Sequence, residues 1–267
     1  MVATLDRPPA NALNRPLLRA MAALFRDRGE SDPLPVVITG AGERFFCAGG
    51  DIKELDGAAA DQIDGRMREF HDLLVAMERY PAPVIAAVNG DCVGGGVEYA
   101  LFADAVLAVP HARFGFPEIR HGLLPAEKGI QRVIRLIGMR PARDLLLSGE
   151  LVGADHAAWL GLVDAIAEPG RLMAEALDRA REAGRRTPVL YAALKHAIND
   201  YDDREDQRRA EVTLAKAASY FDDPAARSLR EGWRQGRASS RPSGGRLPAP
   251  TTTPHAGPTG LLDESER

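Results

Sequence analysis

The apolar run Val84-Ile85-Ala86-Ala87-Val88 constrains this chain more than any other stretch. Pro81 and Pro83 precede it and Asn89-Gly90 follows it. A run so short and so bounded reads as a buried strand rather than a helix. Three glycines, Gly94-Gly95-Gly96, then lead into Val97-Glu98-Tyr99-Ala100-Leu101-Phe102, where good helix formers predict a helix start. Strand, glycine turn and helix start together place backbone N–H groups at a helix's positive end, which suits an anionic oxygen. Glu98 falls in the first turn of that helix, where the dipole favours its ionised form. Glu118 follows Phe114-Gly115-Phe116-Pro117 and begins the next apolar segment. Two carboxyl groups beside fixed N–H donors are what proton transfer next to a carbonyl requires.

The flanking sequence reads as alternating strands and helices. Val2–Leu5 is a short strand, and a helix is predicted over residues 15–28 with Asn14 as its cap and Pro16 in its first turn. Pro35–Thr39 and Asp104–Val109 read as further strands. Phe45–Ile52 ends in a second glycine turn, Gly49-Gly50. Between them, Ile63, Met67, Phe70, Leu74 and Met77 step by fours and threes along residues 60–79, the stripe of an amphipathic helix. This alternation predicts an α/β core of mainly parallel strands over residues 1–120. Helical patterns then dominate residues 121–236, including one over 205–219. Residues 237–267 are rich in Ser, Pro, Gly and Thr, cannot offset their ordering entropy, and are expected to be disordered.

Composition narrows the function. The chain has 267 residues, 45% hydrophobic and 27% charged, with a formal net charge of −4. That balance suits an ordinary soluble protein with no nucleic-acid or membrane-surface partner. No stretch resembles a signal peptide or a bilayer span, so a cytoplasmic location is expected. Cys47 and Cys92 have no metal or disulfide spacing and are expected to be small buried residues. The six histidines form no ligand pattern, so no metal is expected, and His121 is assigned a surface role.

The glycines do not form a nucleotide site. Gly94-Gly95-Gly96-Val97-Glu98-Tyr99 and Gly40-Ala41-Gly42-Glu43-Arg44-Phe45 each put an aromatic ring where GxGxxG needs a small residue, and no GxxxxGK[ST] occurs. The chain instead resembles the crotonase superfamily, the enoyl-CoA hydratase/isomerase family. The resemblance runs through Arg7-Pro8 with Asn11-Ala12-Leu13, Phe46 to Ile52, and Ala87-Val88-Asn89-Gly90 with Gly94 to Glu98. It continues through Phe114 to Glu118 with Gly122-Leu123, then Ser148-Gly149-Glu150 and Ala157 to Val163.

This resemblance implies a spiral of ββα units followed by a helical C-terminal trimerisation region, assembled as a homotrimer or homohexamer. It implies an acyl-CoA thioester substrate, with coenzyme A as part of that substrate and no separate cofactor. The backbone N–H groups of Gly50 and Gly95 would form the oxyanion hole. Glu98 would deprotonate the water attacking C3 of a 2-enoyl-CoA, and Glu118 would protonate C2. Ala48, Asp51, Ile52 and Lys53 map to the loop around coenzyme A, Lys53 as a phosphate contact. Both glutamates favour a hydratase, or a dehydratase in reverse; a double-bond isomerase would use Glu118 alone, and a non-catalytic acyl-CoA-binding member is the third reading. The chain departs from the usual hydratase run after Glu118: Pro125-Ala126-Glu127-Lys128-Gly129-Ile130-Gln131 replaces two glycines and adds two charges. A charged neighbour for Glu118, shifting its pKa or the acyl group accepted, is therefore expected.

Overall fold

The computed structural model describes residues 1–55, 60–199, 208 and 223–239. The predicted helix over 205–219, the tail beyond 239 and the side chain of Ile63 lie outside the described residues. The strands are β1 (Val2–Leu5), β2 (Val36–Gly40), β3 (Phe45–Cys47), β4 (Val84–Val88), β5 (Asp91–Val93), β6 (Ala105–Ala108), β7 (Arg113–Gly115), β8 (Leu151–Gly153) and β9 (Ala165–Ile166). They form two sheets, in the orders β1-β2-β4-β6-β9 and β3-β5-β7-β8. Pairing is parallel throughout except between β7 and β8.

The chain steps from one sheet to the other in each turn. β2 passes to β3, β4 to β5 and β6 to β7, and each new pair stacks beside the last. That is a spiral of ββα units. Helix α1 (Arg15–Ser31) follows β1, α2 (Ala60–Arg79) follows β3, and α3 (Gly95–Leu101) follows β5. Asn14 caps α1, its side chain accepting from Leu17 N at 3.1 Å, and Pro16 sits in the first turn as predicted. The helix runs three residues past the predicted end.

Strand β4 is wholly apolar because both its faces are covered. Val84, Ala86 and Val88 join the main core with α1 and α2, whereas Ile85 and Ala87 face a second cluster. Leu172, Ala176 and Ala180, spaced by fours on α7 (Leu172–Gly184), cap that second face. Phe70, Leu74 and Met77 of α2 are buried, as their spacing predicts. Burial of this kind supplies on the order of 25 cal/mol for each Å² of apolar area.

The remaining helices are α4 (Glu127–Ile137), α5 (Met139–Ser148), α6 (Ala154–Leu160), α8 (Pro188–Asn199) and α9 (Pro224–Ser239). Residues beyond 120 are less uniformly helical than the sequence suggests, since β8 and β9 each complete an edge of a sheet. Strand β5 likewise intervenes before the glycine turn, and α3 begins at Gly95 rather than Val97. Two asparagines tie the strand ends together. Asn89 bonds Gly40 and Gly42, and Asn11 bonds the carbonyls of Ala41 and Phe45. Among the described residues no helix is long and apolar enough to cross a membrane.

Candidate active site

The two glycine turns meet. Leu13 pairs with Gly50 in a parallel bridge that uses the Asp51 N–H and the Gly49 carbonyl, at 2.9 and 2.8 Å, and leaves the Gly50 N–H outside the ladder. Gly94, at φ 56°, turns the chain out of β5, so that Gly95 opens α3 with its N–H also outside the helical ladder. A β-carbon on Gly95 would stand 3.6 Å from Gly50 N. Two glycine peptides from separate strand ends therefore stand side by side.

Both glutamates reach the same place. Glu98, in the first turn of α3, is 2% exposed, and its Oε1 accepts from Ala126 N at 3.1 Å. Glu118 lies in the 3-10 turn Pro117–His121, which Gly122 closes in the left-handed conformation. A β-carbon on Gly94 would lie 3.1 Å from the Glu118 Cδ, so only glycine lets this carboxyl approach the turn. Oε2 of Glu98 and Oε2 of Glu118 are buried with no hydrogen-bond partner among the described residues. Such atoms are rare in folded proteins and mark a site of chemistry or of an unpaired guest.

Burial raises both pKa values. Glu118 is pushed up to about 7 by desolvation, against which its own backbone N–H and that of Gly95 pull down. Glu98 is raised well above the usual carboxylate range, first by burial and then by the neighbouring Glu118, while the Ala126 N–H and the Arg66 guanidinium pull it back. The expectation that a first-turn position favours an ionised Glu98 is thus overridden by desolvation. The two carboxyls act as a coupled pair. One neutral and one ionised member is the state their mutual repulsion favours near neutral pH.

A cavity of about 320 Å³ opens on this pair. Gly50, Gly95, Glu98 and Glu118 line it, with Ala48 and Ile52 from the loop after β3 and Met67, Phe70, Leu123, Leu124 and Leu151 as an apolar wall. Two other loop residues predicted to contact coenzyme A stand elsewhere. The Asp51 carboxylate is taken by Arg7 and by Lys53 N, which makes it a structural anchor, and Lys53 is exposed away from the cavity lining.

Two expectations need correction, and one cavity residue was not anticipated. His121 is not a plain surface residue: its ring stacks on Trp233 of α9, with centroids 4.1 Å apart and planes 14° apart, and both line the cavity. The turn at 125–131 does not set Lys128 beside Glu118. Lys128 Nζ bonds Glu78 Oε2 of α2 at 2.8 Å, outside the cavity lining, while the side chain of Glu127 lies outside the described residues. Arg66 also lines the cavity and went unnoticed in the sequence; it falls four residues before Phe70, on the buried stripe of α2, which was its only signal. Both cysteines are buried as expected, and burial pushes the Cys47 thiol up to about 12.

A spiral of ββα units with mainly parallel strands defines a crotonase-type fold, and two buried glutamates and two glycine turns meet at one of its cavities. Residues 1–234 match the model of the enoyl-CoA hydratase/isomerase family, and the chain belongs to that family. It is 39% identical to a short-chain-enoyl-CoA hydratase of Clostridium acetobutylicum over 202 residues, 74% of this chain and 77% of the relative. A 2,3-dehydroadipyl-CoA hydratase of Escherichia coli is 36% identical over 200 residues, with coverage of 74% and 77%. Among solved structures, an enoyl-CoA hydratase/isomerase from Mycobacterium paratuberculosis superposes with a TM-score of 0.77 at 30% identity, covering 86% of this chain and 93% of that one.

Proposed function

We propose that this protein is an enoyl-CoA hydratase, adding water syn across the C2–C3 double bond of a 2-enoyl-CoA or running the reverse dehydration of a 3-hydroxyacyl-CoA. The observation that carries this reading is the convergence of Glu98 and Glu118, each with an unsatisfied carboxyl oxygen, on one cavity. The thioester oxygen accepts from Gly50 N and Gly95 N. The pair shares one proton; in the reactive arrangement Glu98 carries the charge, against the pull of its burial, and takes a proton from water as its oxygen attacks C3, while the electron pair of the double bond moves onto C2 and the thioester oxygen. Neutral Glu118 then delivers its proton to C2. The product gains one water, and the pair ends with its proton exchanged between members. A value of about 7 for Glu118 suits an acid that must hold a proton near neutrality and still release it. Removing one oxyanion donor costs on the order of 10²-fold in rate or more.

The substrate is a coenzyme A thioester, and no separate cofactor takes part in these steps. Hydratases among the relatives support this reading. We infer a homotrimer or homohexamer, supported by apolar residues standing in the open on α8, where Val189 and Ile198 are 77% and 70% exposed.

The test is loss of enoyl-thioester absorbance with crotonyl-CoA and with a branched enoyl-CoA. Activity that collapses in both Glu98→Gln and Glu118→Gln supports the two-carboxylate mechanism. Migration of a 3-enoyl double bond that survives Glu98→Gln, with no hydration, identifies an isomerase. Tight thioester binding without turnover identifies a binding protein.

A further inference from the structure

The guanidinium of Arg66 is held at two edges beside the oxyanion turn. Its Nη2 donates to Leu13 O at 3.1 Å and its Nε to Glu54 Oε2 at 3.1 Å. Leu13 O is the same carbonyl that receives Asp51 N, so one acceptor ties both Arg66 and the peptide after Gly50 to the start of α1. Glu54 is itself fixed, its Oε1 accepting from Arg15 N at 2.9 Å. The Arg66 side chain is 13% exposed.

Gly50 is glycine for reasons of space. Its φ is not in the left-handed region, unlike that of Gly49 at 84°. A β-carbon there would instead stand 3.0 Å from Arg66 Cζ and 3.1 Å from Nη1. The guanidinium occupies the place of the missing side chain.

We propose that Arg66 is a positioning residue of this site, one that locks the Gly50 peptide against Leu13 and sets a cation beside it, so that charge developing on the thioester oxygen meets a positive field as well as two N–H groups. The assignment rests on the oxyanion reading above. Electrostatic help of this kind is strongest where water is excluded and the donor is fixed beforehand. The ion pair with Glu54 tempers the cation without removing it, because Glu54 engages only the Nε edge. Arg66 also bears on Glu98, whose other charged neighbour is Glu118 and whose N–H partner is Ala126, the residue just before α4. His121 and the Asp91–Arg113 pair face the same cavity.

The experiment uses acetoacetyl-CoA, a 3-ketoacyl thioester whose enolate absorbs in the near ultraviolet, bound to the full-length protein. This readout does not need turnover. Arg66→Met is expected to lower the bound enolate fraction about tenfold, a modest share of what a direct donor gives, with Arg66→Lys recovering part of it. Gly50→Ala is expected to displace the guanidinium and lower the fraction as well. Arg66→Met added to Gly50→Ala should then do little further harm. In turnover, Arg66→Met should lower kcat more than it raises KM, and should move the acidic limb of the pH profile upward, because Glu98 loses a cation that pulls its pKa down. An unchanged enolate fraction in Arg66→Met overturns the proposal, as do fully additive effects of the two substitutions. So does a loss confined to KM for acyl groups ending in a carboxylate, which would make Arg66 a substrate contact. If the parent protein enolises acetoacetyl-CoA in an Arg66-dependent way but hydrates no enoyl-CoA, the hydratase reading falls and the role of Arg66 stands.

Discussion

Glu98 occupies the space where a side chain on Gly129 would be. A β-carbon there would lie 2.5 Å from both Cδ and Cγ of the glutamate. Gly129 is inside α4, where alanine is otherwise the better helix former by about 1 kcal/mol. Gly129→Ala should therefore leave the fold standing and push the carboxyl out of line. A displacement of that size costs on the order of 10²-fold in rate. Steady-state hydration, read beside a thermal melt, checks this; a variant as active as the parent would show that Glu98 need not sit where it does.

Glu118 should make the protein less stable as pH rises. Its pKa is raised from 4.5 to about 7 in the folded state, chiefly by burial. Below 4.5 both folded and unfolded chains hold the proton, and the group costs nothing. Between 4.5 and about 7 the unfolded chain gives up its proton first, so folding becomes less favourable, and above about 7 the whole difference persists. Glu118→Gln removes that difference, on the order of a few kcal/mol. Its melting temperature should exceed the parent's at pH 8 and converge with it near pH 4.5, while hydration is lost. A gap independent of pH would place the stabilisation elsewhere.

The Lys128–Glu78 pair should matter for stability and little for chemistry. Both side chains are at most 10% exposed, and their bond is 2.8 Å long. Lys128→Met strands a buried carboxylate, which costs about 3 kcal/mol or more. Adding Glu78→Leu should restore most of that loss. Chemical denaturation of the two single variants and the double variant measures the coupling. The pH profile of turnover should be common to all variants that fold; a shifted profile would mean that the pair reaches Glu118 electrostatically after all.

Trp233 should set the size of acyl group accepted. Its ring lines the cavity against His121, carried there by α9, whose Arg230 bonds Gly122 O at 2.9 Å. Trp233→Ala opens that wall. The kcat/KM ratio of a longer enoyl-CoA over crotonyl-CoA should rise about tenfold, the scale of one or two methylenes in an apolar pocket. An unaltered chain-length preference would place the acyl group on another wall.

Much of this was readable in the residues themselves. Strand β4 is legible because a run of five apolar residues between prolines and Asn89-Gly90 leaves few other conformations, and Gly50, Gly95, Glu98 and Glu118 follow from local turns and from order along the chain. What escaped reading is what depends on distant partners. Strands β8 and β9 have three and two residues, and exist only because β7 and β6 offer them an edge. The charge of Lys128 was visible, but Glu78, fifty residues earlier in the chain, was not visible as its partner. The pairing of Asp51 with Arg7, forty-four residues away in the chain, is also a property of the fold. A first-turn carboxylate likewise gives no hint of how deeply it is buried, and depth decides the protonation of Glu98.

Trp233 closes the cavity from a helix more than a hundred residues beyond Glu118. At a synthesis rate of about 5–20 residues per second, the ribosome would deliver that wall on the order of ten seconds after the second glutamate. Glu98 is already covered by then, packed on Ala126 and Gly129 at the start of α4, but the turn that carries Glu118 still waits for Trp233 and Arg230 to pack against His121 and Gly122. The nascent spiral can therefore settle its parallel strands before the last wall of the cavity is in place.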